Sequence, residues 1–243
     1  MPKKQHAEPK LTLRSDSGEK FCCLCGELIS LKPSSPGDRL TNDHVPPKQF
    51  YPKETRSGQN LNLWVIPTHE RCNSQYREDE EYFYSASVPF VNKGNHAMWH
   101  ILHQDLVRRV NKPQTPAMAR RLLKEIKTVS DGGIHLPSGI VYLKLEKYRM
   151  QRVAIKIAQG RFYLEHKRFL PRQNCKDIRL CETEADVPEL YQFSWQVANA
   201  KSVLPAVFSY RCFLFEDMHL FSLLFWESFM ICAAFENPVA AFA

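Results

Sequence analysis

The chain has 243 residues, 44% of them hydrophobic, enough for one large or two small domains with a buried core, which excludes a chain too poor in apolar residues to fold. A formal net charge of +7 favours a polyanionic partner through long-range attraction and counterion release. Residues 1–20 hold no apolar stretch of signal-peptide type, so the eight cysteines are expected to be reduced in a cytoplasmic protein rather than paired in a secreted disulfide framework.

Taken in chain order, residues 1–20 place Lys3, Lys4, Lys10, Arg14 and Lys20 among polar neighbours and are expected to form a flexible basic tail able to touch phosphate. Chemistry begins with Cys22-x-x-Cys25. Residues 38–42 lead as a strand into Asp43-His44, and Pro46-Pro47 stop regular structure directly afterwards. Aromatic and branched residues over 61–66 predict a second strand, ended by Pro67. From Thr68 the chain becomes helix-compatible through His69-x-x-Cys72-Asn73 and Arg77 to Phe83. Cys22, Cys25, His69 and Cys72 are four soft or borderline donors of the kind a tetrahedral zinc selects. Thiolates and imidazole satisfy such an ion completely, so it would be structural, leaving no position for substrate. Cys23 is an alternative to Cys22, at the poorer spacing Cys23-x-Cys25.

The Cys-x-x-Cys, the Asp43-His44-Val45-Pro46-Pro47 run, the asparagines Asn60 and Asn62 and the closing His69-x-x-Cys72-Asn73 together resemble the HNH endonucleases of the His-Me finger, or ββα-metal, group. The resemblance covers about the first third of the chain. Further on, the run 156–160 and Phe225-Trp226-Glu227 are similar to the trailing region of uncharacterised bacterial HNH-containing proteins. It implies His44 as general base on a water, Asp43 and Asn73 as ligands of one catalytic Mg²⁺ or Mn²⁺, and Asn60 or Asn62 as the residue that orients His44. Arg77 would be a phosphate contact. The residue types suit the chemistry: imidazole accepts a proton near neutral pH, and carboxylate and amide oxygens suit hard divalent ions. The sequence departs from the pattern in ending on Asn73 rather than His, and in a longer spacing from Asn62 to Asn73.

Beyond residue 90 the motifs give out. Residues 96–110 and 117–129 show helical apolar stripes beside basic faces, Arg108 and Arg109 in the first, Arg120, Arg121, Lys124 and Lys127 in the second. Residues 131–133 predict a turn, 140–145 a strand, and 146–162 a helix with Met150, Val153, Ile157 and Ala158 on its apolar face and Lys147, Arg149, Arg152 and Lys156 on its exposed side. The apolar segments 207–215 and 220–235 read as two strands joined across 216–219. Glu227 interrupts a run already too short to span a membrane, so a buried sheet or a homodimer contact through these strands is expected.

The expected fold is thus α+β, a zinc-clamped ββα-metal (HNH) domain at 21–92 followed by an accessory α+β domain at 93–243. The expected activity is metal-dependent hydrolysis of phosphodiester bonds, with DNA as substrate, structural Zn²⁺ and catalytic Mg²⁺ or Mn²⁺. A non-catalytic zinc module that binds nucleic acid or protein is the alternative. A third reading is the nuclease effector of a toxin or phage-defence system.

Overall fold

The computed structural model describes residues 20–59, 61–91, 94, 96–111, 126–127, 133, 142–181 and 184–238. Most of the basic tail and the greater part of the helix expected over 117–129 lie outside these residues, as does Asn60.

Strands β1 (Lys20–Phe21) and β2 (Leu28–Ile29) form a two-stranded knuckle. Strand β3 (Leu40–His44) is followed by helix α1 (Lys53–Gln59) and by β4 (Val65–His69), which pairs antiparallel with β3 from Leu40↔His69 to His44↔Val65. Helices α2 (Glu70–Ser74), α3 (Arg77–Ser87) and α4 (His96–Val110) follow. The second strand starts later than expected and runs through Pro67, which faces Asn42 in the ribbon. Proline is tolerated there because both strands of a two-stranded ribbon are edges, and the Pro67 carbonyl accepts the Cys23 N–H at 3.0 Å.

The ribbon of β5 (Ile126–Lys127) and β6 (Tyr142–Leu143) puts residues 126–127 in extended pairing rather than in the expected helix. Helix α5 (Lys147–His166) ends on Lys167 in the left-handed conformation, φ 56°, whose N–H is donated to the Tyr163 carbonyl. Strand β7 (Cys175–Cys181), helix α6 (Glu189–Val197) and strands β8 (Lys201–Leu204), β9 (Phe208–Phe215), β10 (Met218–Phe225) and β11 (Phe229–Glu236) complete the chain. The last group forms an antiparallel sheet in the order β7-β11-β10-β9-β8. The architecture is mixed α+β, in line with the expected class.

The segment expected as one strand over 220–235 is two strands, β10 and β11, reversed at Trp226 and Glu227, whose φ values of 50° and 54° fit a tight hairpin turn. A left-handed tryptophan is unusual, and burial compensates it. Trp226 is fully buried, packs 5.5 Å from the Phe50 ring, and donates its indole N–H to the Phe50 carbonyl at 3.3 Å. The rings of Phe83 and Phe225 pack beside it, 4.9 Å apart and inclined at 59°. One buried apolar cluster therefore runs from Cys23 to Phe235, across position 92. One face of β10 and β11 is spent inside it, through Phe221, Leu223, Phe225, Ile231, Ala233 and Phe235, while Leu220, Cys232 and Ala234 on the other face join a second cluster with Val187 and Tyr191. No helix among the described residues is long and apolar enough to cross a membrane.

Helix α5 sits between the sheet and the β3-β4 ribbon, touching β7 and β11 on one side and α3 and β4 on the other. Its expected solvent face holds only at Lys147, which is exposed: Arg149 is 9% exposed and Lys156 0%. Arg149 and Arg152 meet Asp79 on α3 at 3.1 and 2.6 Å. From Arg149 to Lys156 the basic stripe faces the acidic Asp79 and Glu80 of α3, and over that stretch the helix is largely covered on both faces.

Gly160 makes the close approach of α5 possible. A Cβ there would lie 2.6 Å from Val45 Cγ2 and 3.2 Å from Ile66 Cδ1. Alanine in a helix interior normally gains about 1 kcal/mol over glycine, but here it must displace the ribbon, at a cost of about 1–3 kcal/mol. Gly160→Ala is expected to lower the urea midpoint, and Val45→Ala to restore part of the loss. A Gly160→Ala protein more stable than wild type would contradict this packing.

Candidate metal centre and the His44 cleft

The two knuckles meet. Cys22 and Cys25 lie in the turn between β1 and β2, where Gly26 adopts φ 78° and donates its N–H to the Cys22 carbonyl at 2.8 Å. His69 ends β4 and Cys72 lies in α2. The four ligand atoms all fall within 4.8 Å of one another. Cys25 Sγ is 3.4 Å and Cys72 Sγ 4.0 Å from His69 Nδ1, close to the separation of about 3.5 Å that tetrahedral bonds of 2.0–2.3 Å impose. The His69 backbone N–H is donated to Cys22 Sγ at 3.3 Å and orients that sulfur. Burial pushes the Cys25 thiol up to about 12 and raises that of Cys72 as well. Without a cation such thiols keep their protons, and it is a bound metal ion that would hold them as thiolates; the donor set fits zinc. Cys23 is excluded as a ligand, because its thiol turns toward α5 and donates to the Gln159 carbonyl at 3.6 Å.

The clamp fixes the end of the ribbon, and strand alternation then separates Asp43 from His44. Asp43 pairs across the ribbon with fully buried Ile66 and is itself 6% exposed. His44 pairs with Val65, which is 37% exposed, and opens onto the other side.

On the inner side Asp43, Asn73 and Glu80 converge, but at their centre sits the ammonium of Lys156 from α5. Its Nζ is 2.6 Å from Asp43 Oδ2 and is hydrogen-bonded to Glu80 Oε1. With its nitrogen turned to Asp43, the Asn73 amide donates to both carboxylate oxygens at 3.2 and 3.1 Å; the opposite orientation puts its oxygen 3.3 Å from Lys156 Nζ. Burial alone would lower the Lys156 pKa, yet the charges of Asp43 and Glu80 outweigh it and raise it. Burial raises Glu80 too, against the pull of Lys156. Two carboxylates around one ammonium leave a cluster of net negative formal charge. Asp43 and Asn73, the expected ligands of Mg²⁺ or Mn²⁺, are therefore neighbours as the resemblance requires. The point between them is filled, so in this arrangement they do not fit a divalent ion.

On the outer side His44 lies in a cleft of about 490 Å³ with Lys48, Lys53, Arg56 and Asn62. Among the described residues that line it there is no carboxylate. Lys53 and Arg56 are three apart on α1 and so share a face. Arg56 is steadied by donating Nε–H to the Tyr51 carbonyl at 2.9 Å, and Glu54 is turned toward Arg108 at 2.6 Å. Burial, and then the charge of Lys48, lower the His44 pKa below its ordinary value.

Asn62 thus shares the cleft with His44, while Arg77 begins α3 as an exposed residue outside the residues lining it. Sequence reasoning missed Lys48, Lys53, Arg56, Glu80 and the burial of Lys156. The cations at 48, 53 and 56 were visible as a cluster just after the Pro-Pro stop, a signal passed over.

No family model matches the chain, and no curated protein or solved structure does.

Proposed function

We propose that the protein is an HNH-type endonuclease that hydrolyses phosphodiester bonds in nucleic acid, with DNA as its substrate and His44 as its base. The observation carrying this reading is the position of His44 in a cleft whose charged groups, among the described residues, are cationic, beside a ribbon that ends on a zinc-type donor set. Lys48, Lys53 and Arg56 would hold the scissile phosphate and offset charge developing on it. His44, its pKa lowered, is neutral at neutral pH and able to take a proton from the attacking water. Asn62 is the described candidate for orienting it. Zinc would have only a structural part.

The test is a supercoiled-plasmid nicking assay with wild type and His44→Ala. Loss of a general base is expected to slow nicking by about 10²–10⁴-fold; undiminished nicking by a folded His44→Ala protein would remove the mechanism. The pH profile gives a second readout. Because the His44 pKa is lowered, the acid limb of kcat/KM should fall below about pH 6.5, the unperturbed value, and Lys48→Ala should move it upward. The unfolded chain binds the proton more readily, so this group's contribution to stability also declines as pH drops below about 6.5.

The second reading is a zinc module that binds nucleic acid without cutting it. The neutralisation of buried Asp43 by Lys156 favours it. Retention of DNA in a mobility-shift assay, with no nicking under any condition, would establish it instead.

A further inference from the structure

We infer that Lys156 is the resident cation of the Asp43–Glu80–Asn73 cluster: its ammonium takes the place in which these donors would otherwise hold a divalent ion, and the protein binds no such ion there. The second consequence, that nicking proceeds without a divalent ion at Asp43, rests on the nuclease reading above.

Three observations carry the inference. First, the donors are already paired: Lys156 contacts both carboxylates, and its side chain is 1% exposed against 7% for Asp43 and 13% for Glu80. Second, there is no room to add an ion beside it. Mg²⁺ needs near-octahedral oxygens at about 2.0–2.1 Å and keeps several waters, whereas Asp43 Oδ2 and Lys156 Nζ are 2.6 Å apart and the Tyr76 ring closes over Nζ at 5.2 Å from its centroid. Third, the ammonium cannot swing out without cost. Its helix is held by Arg149 and Arg152 on Asp79, two turns and one turn away, and by the seating of Gly160 against Val45. An ion entering the cluster would have to leave a buried ammonium unpaired and endure its repulsion. The C-terminal half thereby contributes directly to the site, through a residue 83 positions from Asn73.

The experiment uses the full chain, zinc-loaded, in buffer freed of other metals, with Mn²⁺ titrated in and free ion followed by electron paramagnetic resonance. Wild type and Asp43→Asn are expected to give the same isotherm. Lys156→Ala, which vacates the cluster, is expected to gain one saturable site that disappears in Lys156→Ala/Asp43→Asn. A wild-type site weakened about tenfold or more by Asp43→Asn would overturn the inference, and so would a folded Lys156→Ala protein that gains none. If Lys156→Ala does not fold, the comparison of wild type with Asp43→Asn decides alone. In the same buffer, plasmid nicking should be as fast without Mg²⁺ as with it. Nicking that needs Mg²⁺ and is tied to an Asp43-dependent Mn²⁺ site would overturn the inference. No nicking under any condition counts against the nuclease reading only, and the Mn²⁺ isotherms still decide the place of Lys156.

Discussion

Stripping the metal proposed for the Cys22-Cys25-His69-Cys72 cluster, or replacing one of its candidate ligands by Cys72→Ser, is expected to unfold the β1-β2 knuckle and loosen the β3-β4 ribbon. The apolar cluster beneath the knuckle is small, centred on Cys22, Ile29 and Cys72, so two of its three buried members are themselves ligands. Such a cluster cannot hold the turn unaided. Structural zinc contributes an apparent 10–16 kcal/mol, about as much as the whole net stability of a typical domain, roughly 5–15 kcal/mol. The consequence should reach His44, because β4 carries His69 at one end and pairs with His44 through Val65 at the other. One zinc per chain by elemental analysis, and a large fall in thermal midpoint once it is removed, are the expected results. Cys23→Ser serves as the control: its thiol faces Gln159, so that protein should keep its zinc. A zinc-free protein melting within a degree or two of the holoprotein would rule out a structural ion.

What the sequence made legible was local. Ligand spacing announced the knuckles, the Pro-Pro stop ended β3, and apolar periodicity located α4 and α5, because each of these is written in neighbouring residues. The partners of charged residues were not legible. Lys147, Arg149, Arg152 and Lys156 follow the spacing of a solvated helix face, and nothing within α5 reveals that Asp79 and Glu80 lie against it. The same limit applies to 220–235, where Glu227 reads as an interruption in a strand. Only the burial of Trp226 against Phe50 explains why the chain turns there through two left-handed residues. At the candidate site, the Asp-His pair was plain, but its separation onto two faces depends on register with β4, and the filling of the inner face depends on a helix more than a hundred residues downstream.

The ion pairs between α3 and α5 should also dominate stability. Asp79 is 4% exposed and forms ion pairs with Arg149 at 3.1 Å and Arg152 at 2.6 Å. Removing one partner of a buried pair leaves the other charge uncompensated, which costs about 3–5 kcal/mol. Two features reduce the cost here. Arg149 retains Glu146 at 2.7 Å, and the Arg152 side chain, 28% exposed, can turn toward water. The low end of that range, about 3 kcal/mol, is therefore expected for Asp79→Ala, equivalent to a fall of about 6–12 °C in Tm for a chain of this size. Charge, rather than lost volume, is the cause argued for, so Asp79→Leu alone should be no better than Asp79→Ala. Asp79→Leu combined with Arg149→Met and Arg152→Met should recover much of the loss, since apolar residues of similar volume can replace buried ion pairs without penalty. Equilibrium urea unfolding measures all three. A change below about 1 kcal/mol for Asp79→Ala would mean that these pairs behave as surface pairs and that α5 is held to α3 by its apolar contacts alone.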